Sequence, residues 1–528
     1  MDAKLFVLPS SVALVLVAFA GCLGQANDAL DTDLLDLGAV LEGAIVPTHD
    51  HADPAVHDQS FNMEVLSYSP ATPAPSVYGE VDVRGGIAAI AVLATAKDAN
   101  GDSQRSGFVL FDAMKPEDLS QPLGRWEAPV PTVYAADVKL SDDGKWAFLA
   151  TQRTGSLVTA LLAERGQALP ASPPAPVPIP NNGADVGVYV VDISDPTDPT
   201  TALFFPVETN GVHMMDVQSV NGVMYLFLQA ATVYPRCATP PLGVMDPQCV
   251  PDQVPNPPGA GIRVDIAEFT TDPSPKVRVV QTYDAIEGHY IHDITVLDDP
   301  ILQKTVMYVA HWDAGARIVD VSGLPGSIVE VGAWAPEEFL DEPDLLGHVH
   351  TVWAEVIGDE ANQRRVLVAS PEFGFRENQP PIWFVDATDE AMPVQLGDWS
   401  LPCPVGCNFT VDMQPEIDYE YRWSTHNIVI EHGLLYLSHF HGGTWVFDLM
   451  SDPANPTVVG YTMLAPPMRG PGAFGGILND SPSVWDSVPY EGHIWISDIN
   501  AGLFTARLIE APERAMAMGD MAGMDHGG

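Results

Sequence analysis

Residues 289–336 constrain this chain more than any other stretch. Four short runs follow one another there, HDITVL, TVMYVAH, ARIVDV and IVEVGAW, rich in Val, Ile, Tyr and Trp. Turn formers divide them: Asp298-Asp299-Pro300, Asp313-Ala314-Gly315 and Gly323-Leu324-Pro325-Gly326. Runs of this length and composition read as strands of about 5–6 residues, and none carries a helical period. The stretch is a four-stranded antiparallel meander. The same order returns at 424–464, where YLSHFHGGTWVFDL answers YVAHWDAGARIVDV, and in part at 187–207. One meander cannot bury both its faces, but several arranged radially can. All-β repeats of about 40–50 residues therefore predict a β-propeller.

The chain divides into seven such units: 78–127, 132–207, 211–283, 289–336, 348–399, 424–464, and a last one with only three strands near 484–509. The run FNMEVLSYSP at 61–70 resembles a fourth strand, but no unit precedes it. It is expected to complete the last blade and close the ring, which removes exposed sheet edges. The fold class is all-β: a seven-bladed propeller of four-stranded antiparallel blades over 61–510.

The flanks read differently. Lys4 precedes an apolar run that ends at FAGC, the pattern of a lipoprotein signal over 1–22 with Cys22 as the lipid-bearing residue. Ordinary secretory cleavage or a retained anchor would place the mature chain in the same compartment, outside the cytoplasm. The membrane is then a partner through the lipid anchor alone. Residues 23–60 read as an acidic flexible tether and 511–528 as a disordered tail. Cys237 with Cys249 and Cys403 with Cys407 form two local pairs in Pro/Gly-rich loops. In an oxidising compartment two disulfides are expected, with a metal site at Cys403 and Cys407 as the alternative. A net charge of −47 repels phosphate backbones and excludes nucleic acid as a natural partner. A monomer is expected.

The segments ARIVDVS, VYVVDISDPTDP and WVFDLMSDPANP resemble the LVIVD-repeat family of extracytoplasmic β-propellers. The resemblance recurs over 61–509 and is strong in the second, fourth and sixth units. It implies a propeller and little about chemistry. The fifth unit departs, with Asp386-Ala387-Thr388-Asp389-Glu390 where the turn's Asp-Pro belongs. A more distant similarity is to the selenium-binding-protein and methanethiol-oxidase propellers, which carry a copper site built from histidines.

Aligned first strands read VHMMDV, IHDITV, VHTVWA and THNIVI, so His213, His292, His350 and His426 share one repeat position in four consecutive units. In a propeller that strand lines the axis. The second-strand ends AHWDAG, ASPEFG, SHFHGG and SDINAG put His311, Ser370, His439 and Asp498 at one position, and Asp313, Glu372, His441 and Asn500 at another. Imidazole with carboxylate suits a transition metal, copper first, with zinc and iron as alternatives. Asp293 is expected to orient an imidazole from behind. A repeat also propagates a histidine for structural reasons, and that reading stays open. Met516, Met518, Met521, Met524 and His526 add a soft-ligand tract in the tail that favours Cu(I).

No nucleophile elbow, phosphate-binding glycine loop or HExxH occurs. Asp313 and Glu372 as a glycosidase pair rest on no separation the sequence sets. The expectation is a metal-binding propeller, with oxidation of a small molecule such as a thiol as its enzymatic form. The other class is a non-catalytic surface scaffold that binds a protein or glycan through its loops.

Overall fold

The computed structural model describes residues 59–73, 76–95, 106–129, 133–153, 186–207, 211–230, 263–284, 291–312, 314–336, 348–358, 362–372, 381–401, 424–440, 442–464 and 483–511. Cys22, Cys237, Cys249, Cys403, Cys407, Asp313, His441 and the Met/His tract lie outside them.

Seven antiparallel sheets form, five of them runs of four consecutive strands and two joined by a strand from the N-terminal end of the described residues. Blade 1 spans 76–127, blade 2 133–206, blade 3 212–284, blade 4 294–334, blade 5 348–399 and blade 6 425–463; the three C-terminal strands of blade 7 span 484–508. The first strand of every blade packs against the first strands of both neighbours, so seven inner strands close a circle. This is the predicted seven-bladed propeller. Met63–Ser69 pairs antiparallel with Gly502–Leu508 and supplies the fourth strand of blade 7. The ring closes as the orphan run implied. The expected tether ends two residues earlier: its Gln59 and Ser60 join Phe61, the first residue of the expected run, in a separate strand, Gln59–Phe61. It adds a fifth strand to the outer edge of blade 6, Gln59 opposite Met463. Asn62 makes the turn between the two strands with a φ of 51°, a left-handed conformation that Asn tolerates. Its side chain binds Val459 O at 2.7 Å and Glu510 N at 2.8 Å, which stitches blade 6 to blade 7.

The repeat's Asp-Pro turn has a physical task. In blade 2 Asp195 accepts the Thr197 N–H, and in blade 6 Asp452 accepts the Ala454 N–H. Blade 5 keeps the device without the proline: Asp389 accepts the Ala391 N–H at 3.1 Å. The backbone of that turn presses on the outer strand of the blade before. A Cβ on Gly332 would lie 1.7 Å from Glu390 O, and one on Gly397 2.0 Å from Ala454 O. Glycine at these positions lets neighbouring blades meet backbone to backbone. Between blades the core is aliphatic and aromatic. Trp383, Trp445 and Trp495 are fully buried there.

Candidate metal centre

The inner strands share one irregularity. In blade 5 Val349 pairs with Pro371 and Thr351 with Ser370, so His350 is an extra residue. In blade 3 the register slips between Val212 and Met215, at His213 and Met214. In blade 6 it slips between Thr425 and Ile428, at His426 and Asn427. His292 and Asp293 both face Ala310 through backbone hydrogen bonds of 2.9 Å. The same bulge falls at Trp485 in blade 7, at Ala136 in blade 2, and at Gly79 and Glu80 in blade 1. A bulge re-aims the side chain it carries. Repeated around a closed ring, it collects the four histidines, Trp485 and Glu80 in one layer.

The layer is continuous. Ring centroids are 4.8 Å apart for His213 and His292, 3.9 Å for His292 and His350, 4.2 Å for His350 and His426, and 4.2 Å for His426 and Trp485. Trp485 Nε1 then donates to Glu80 Oε1 at 2.8 Å. The four histidines predicted at one repeat position thus stand side by side. His292, His350 and His426 are buried and His213 is partly so.

Glu372 completes the site. Its Oε2 lies 3.5 Å from His350 Nε2 and 3.9 Å from His292 Nε2. Among the described residues His292, His350 and Glu372 form a buried group whose ligand atoms all lie within 4.8 Å of one another, and this group can bind a metal ion. His213 Nε2 lies 3.3 Å from His292 Nε2, and its Nδ1 lies 2.9 Å from Gln152 Nε2. Burial pushes the His213 imidazole down to about 4, so it is neutral at pH 7. His426 turns Nδ1 to Trp485 O at 2.8 Å, which leaves its Nε2 as the nitrogen without the proton.

The second-strand alignment needs one correction. His311 pairs with Gly315, His439 with Gly443 and Asp498 with Gly502. Their counterpart opposite the first strand of blade 5 is Pro371, not Ser370: Val349 faces Pro371 as Thr425 faces His439 and Val484 faces Asp498. Glu372 therefore corresponds to Trp312 and Phe440. A slip of one residue moves a side chain to the other face of the sheet. Trp312 stacks on His292 at 5.0 Å and Phe440 packs at a tilt against His426 at 4.8 Å, so this position does face the layer. His311 instead meets Tyr283 of blade 3, ring centroids 6.2 Å apart, and His439 Nδ1 accepts the Gly442 N–H. Neither belongs to the ligand group. Asp498 accepts the N–H groups of Ser483, Asn500 and Ala501. Asp293 accepts the Ile294 N–H rather than an imidazole proton.

Further along the same inner strands lies a belt of buried carboxylates that the sequence did not announce. Asp82 accepts the Leu140 N–H, Asp137 the Met215 N–H, Asp216 the Val296 N–H and Asp486 the Val81 N–H. Each bond joins the inner strand of one blade to that of the next. Burial raises Asp137 to about 7 and Asp293 to about 8. Burial and then the Asp486 charge hold Glu80 well above the usual carboxylate range. Lys139 pairs with Asp137 at 3.3 Å. Burial opposes its charge, but Asp137, Glu80, Asp82 and Asp216 outweigh that and keep it protonated. Arg84 bridges Asp82 and Asp216 at 3.3 and 3.5 Å.

Comparison with known families agrees with this architecture. The LVIVD repeat model matches residues 184–205 and 306–334, the third and fourth strands of blade 2 and the last three of blade 4. Two segments of the chain thus match the LVIVD repeat. No curated protein matches this chain in sequence. Among solved structures it is similar to virginiamycin B lyase from Staphylococcus aureus at 11% identity, covering 85% of this chain and 100% of that one with a TM-score of 0.43. BamB from Moraxella catarrhalis matches at 9% identity over 83% of this chain and 84% of that one, TM-score 0.38. At these values the likenesses carry no argument about chemistry.

Proposed function

We propose that this LVIVD propeller binds a transition-metal ion at the histidine layer, with copper as the first candidate and zinc or iron as alternatives. In this reading it acts outside the cytoplasm, anchored through Cys22, and the ion supports oxidation of a small molecule such as a thiol. One observation carries the metal assignment: three buried ligand atoms from two blades converge, and a fourth, His213 Nε2, lies beside them. Two atoms each about 2.0–2.1 Å from one tetrahedral ion stand about 3.3–3.4 Å apart. The separations here are 3.3 Å for His213 to His292, 3.5 Å for His350 to Glu372 and 3.9 Å for His292 to Glu372. An ion would draw them together by a few tenths of an ångström. Turning the Gln152 amide end for end would let it accept from His213 Nδ1 and free Nε2 for the ion. Three imidazoles with one carboxylate suit zinc, copper and iron alike. The preference for copper comes from the Met/His tract of the tail.

The scaffold reading has an observation of its own. Imidazoles packed ring against ring, with His213 hydrogen-bonded to His292, can fill the axis as packing. Metal analysis of the purified full chain, before and after incubation with copper, zinc and iron salts, separates the two. The metal reading expects near-stoichiometric metal that His292→Ala/His350→Ala/Glu372→Ala reduces to background with the β-sheet circular dichroism retained. Equal metal in both proteins, or none in the parent, leaves the scaffold.

A further inference from the structure

The polar groups behind His350 set which of its nitrogens is available. His350 Nδ1 lies 2.7 Å from Thr351 Oγ1, and Thr351 Oγ1 donates to Asn427 Oδ1 at 3.2 Å. A hydroxyl has one proton. With that proton given to Asn427, Thr351 can only accept from His350, so Nδ1 carries the imidazole proton and Nε2 carries the lone pair. Nε2 is the nitrogen that faces Glu372. The direction of the chain is set one step further back, in blade 1. Asn427 Nδ2 donates to Glu80 Oε2, and Glu80 Oε1 accepts from Trp485 Nε1. Reversing the amide would place Asn427 Oδ1 against a carboxyl oxygen of Glu80. An ionised Glu80 forbids this, and so does a Glu80 whose own proton goes to Asp486. Thr351, Asn427 and Glu80 are 3%, 5% and 1% exposed, so water does not compete for these bonds.

We propose that Thr351 is a positioning residue that presents Nε2 of His350 to the metal, held in that sense by Asn427 and Glu80. The proposal rests on the metal reading of the site. It assigns a task to the part of the layer that has no histidine: the bulge residue of blade 1 orients the bulge residue of blade 5 through a residue of blade 6. Removing such a partner typically costs about 10–100-fold in metal affinity.

The test uses the full chain labelled with ¹⁵N-histidine, metal-free, with His350→Ala assigning the resonance. Two-bond ¹H–¹⁵N correlations should show His350 protonated at Nδ1. Thr351→Val, which keeps the shape and loses the oxygen, should redistribute the proton between the nitrogens and weaken binding of the metal the parent takes up by about 10–100-fold. Thr351→Ser should restore both. An Nε2-protonated His350 in the parent overturns the proposal, as does an unchanged spectrum in Thr351→Val. The nitrogen assignment stands or falls on this spectrum alone. A parent that takes up no copper, zinc or iron overturns the metal reading instead, by a separate measurement.

Discussion

Four blades carry histidine at the inner-strand bulge and three do not. Blades 3 to 6 place His213, His292, His350 and His426 there, while blades 7, 1 and 2 place Trp485, Glu80 and Ala136. The backbone device is the same on both arcs. The histidine arc sets ligand atoms beside Glu372. The other arc adjoins Lys139, Asp137 and the Glu80–Asp486 pair, where charge is buried and balanced internally. A propeller repeat thus fixes where a side chain points and leaves its chemistry to each blade separately.

If the arcs have separate tasks, variants in one should leave the other's readout unmoved. The largest effect on stability is expected from Lys139→Met. It leaves buried carboxylates without their cation and should cost about 3–5 kcal/mol at pH 7 in denaturant unfolding, with metal content unchanged. Loss of metal in that variant would merge the two arcs. His426→Phe comes next. It keeps the stacking but removes the hydrogen bond to Trp485 O, so a loss of about 1 kcal/mol is expected. Metal should be retained, because His426 stands outside the ligand group; metal loss would extend the site to a fourth imidazole donor.

The third effect is a slope. Asp137 is raised in the folded protein to about 7 by burial, above its unfolded value near 4. The folded state therefore holds a proton that the unfolded state gives up. Its contribution is fully present below the unfolded value and is lost as pH rises through about 7. Unfolding free energy measured from pH 4 to 8 should fall with pH. Asp137→Asn should flatten that fall and leave metal affinity as it was. A slope equal to the parent's would place the buried protons elsewhere.

Much of the fold was legible because strand and turn chemistry are local. Asp-Pro turns, β-branched runs and a 40–50-residue repeat follow from neighbours in sequence, and so does the histidine position. Blade 5 was legible too, since its Asp389 does the turn's work without the proline. The second-strand ligands were misplaced by one residue in that blade. Parity along a strand depends on register, and the glycine that anchors the match opens the third strand in blades 4, 6 and 7, whereas in blade 5 the second strand ends at Glu372 and the third begins only at Ile382. Glu372 was therefore in view but matched to Asp313, when its counterparts are Trp312 and Phe440.

The sequence by itself determined that this chain is a ring of seven meanders, that an N-terminal strand closes it, and that four histidines recur at one inner position. Periodicity and turn residues encode these, because each acts over a few bonds. Only the tertiary structure decided which side chains meet. Glu80 and Trp485 stand 405 residues apart and share a hydrogen bond because the ring closes between them. His311 and His439 point between blades while Glu372 points at the axis, because successive side chains of a strand face opposite ways and Glu372 stands one position beyond theirs. The carboxylate belt exists only where inner strands from successive blades come side by side, and burial there, not composition, raises Asp137 and Asp293.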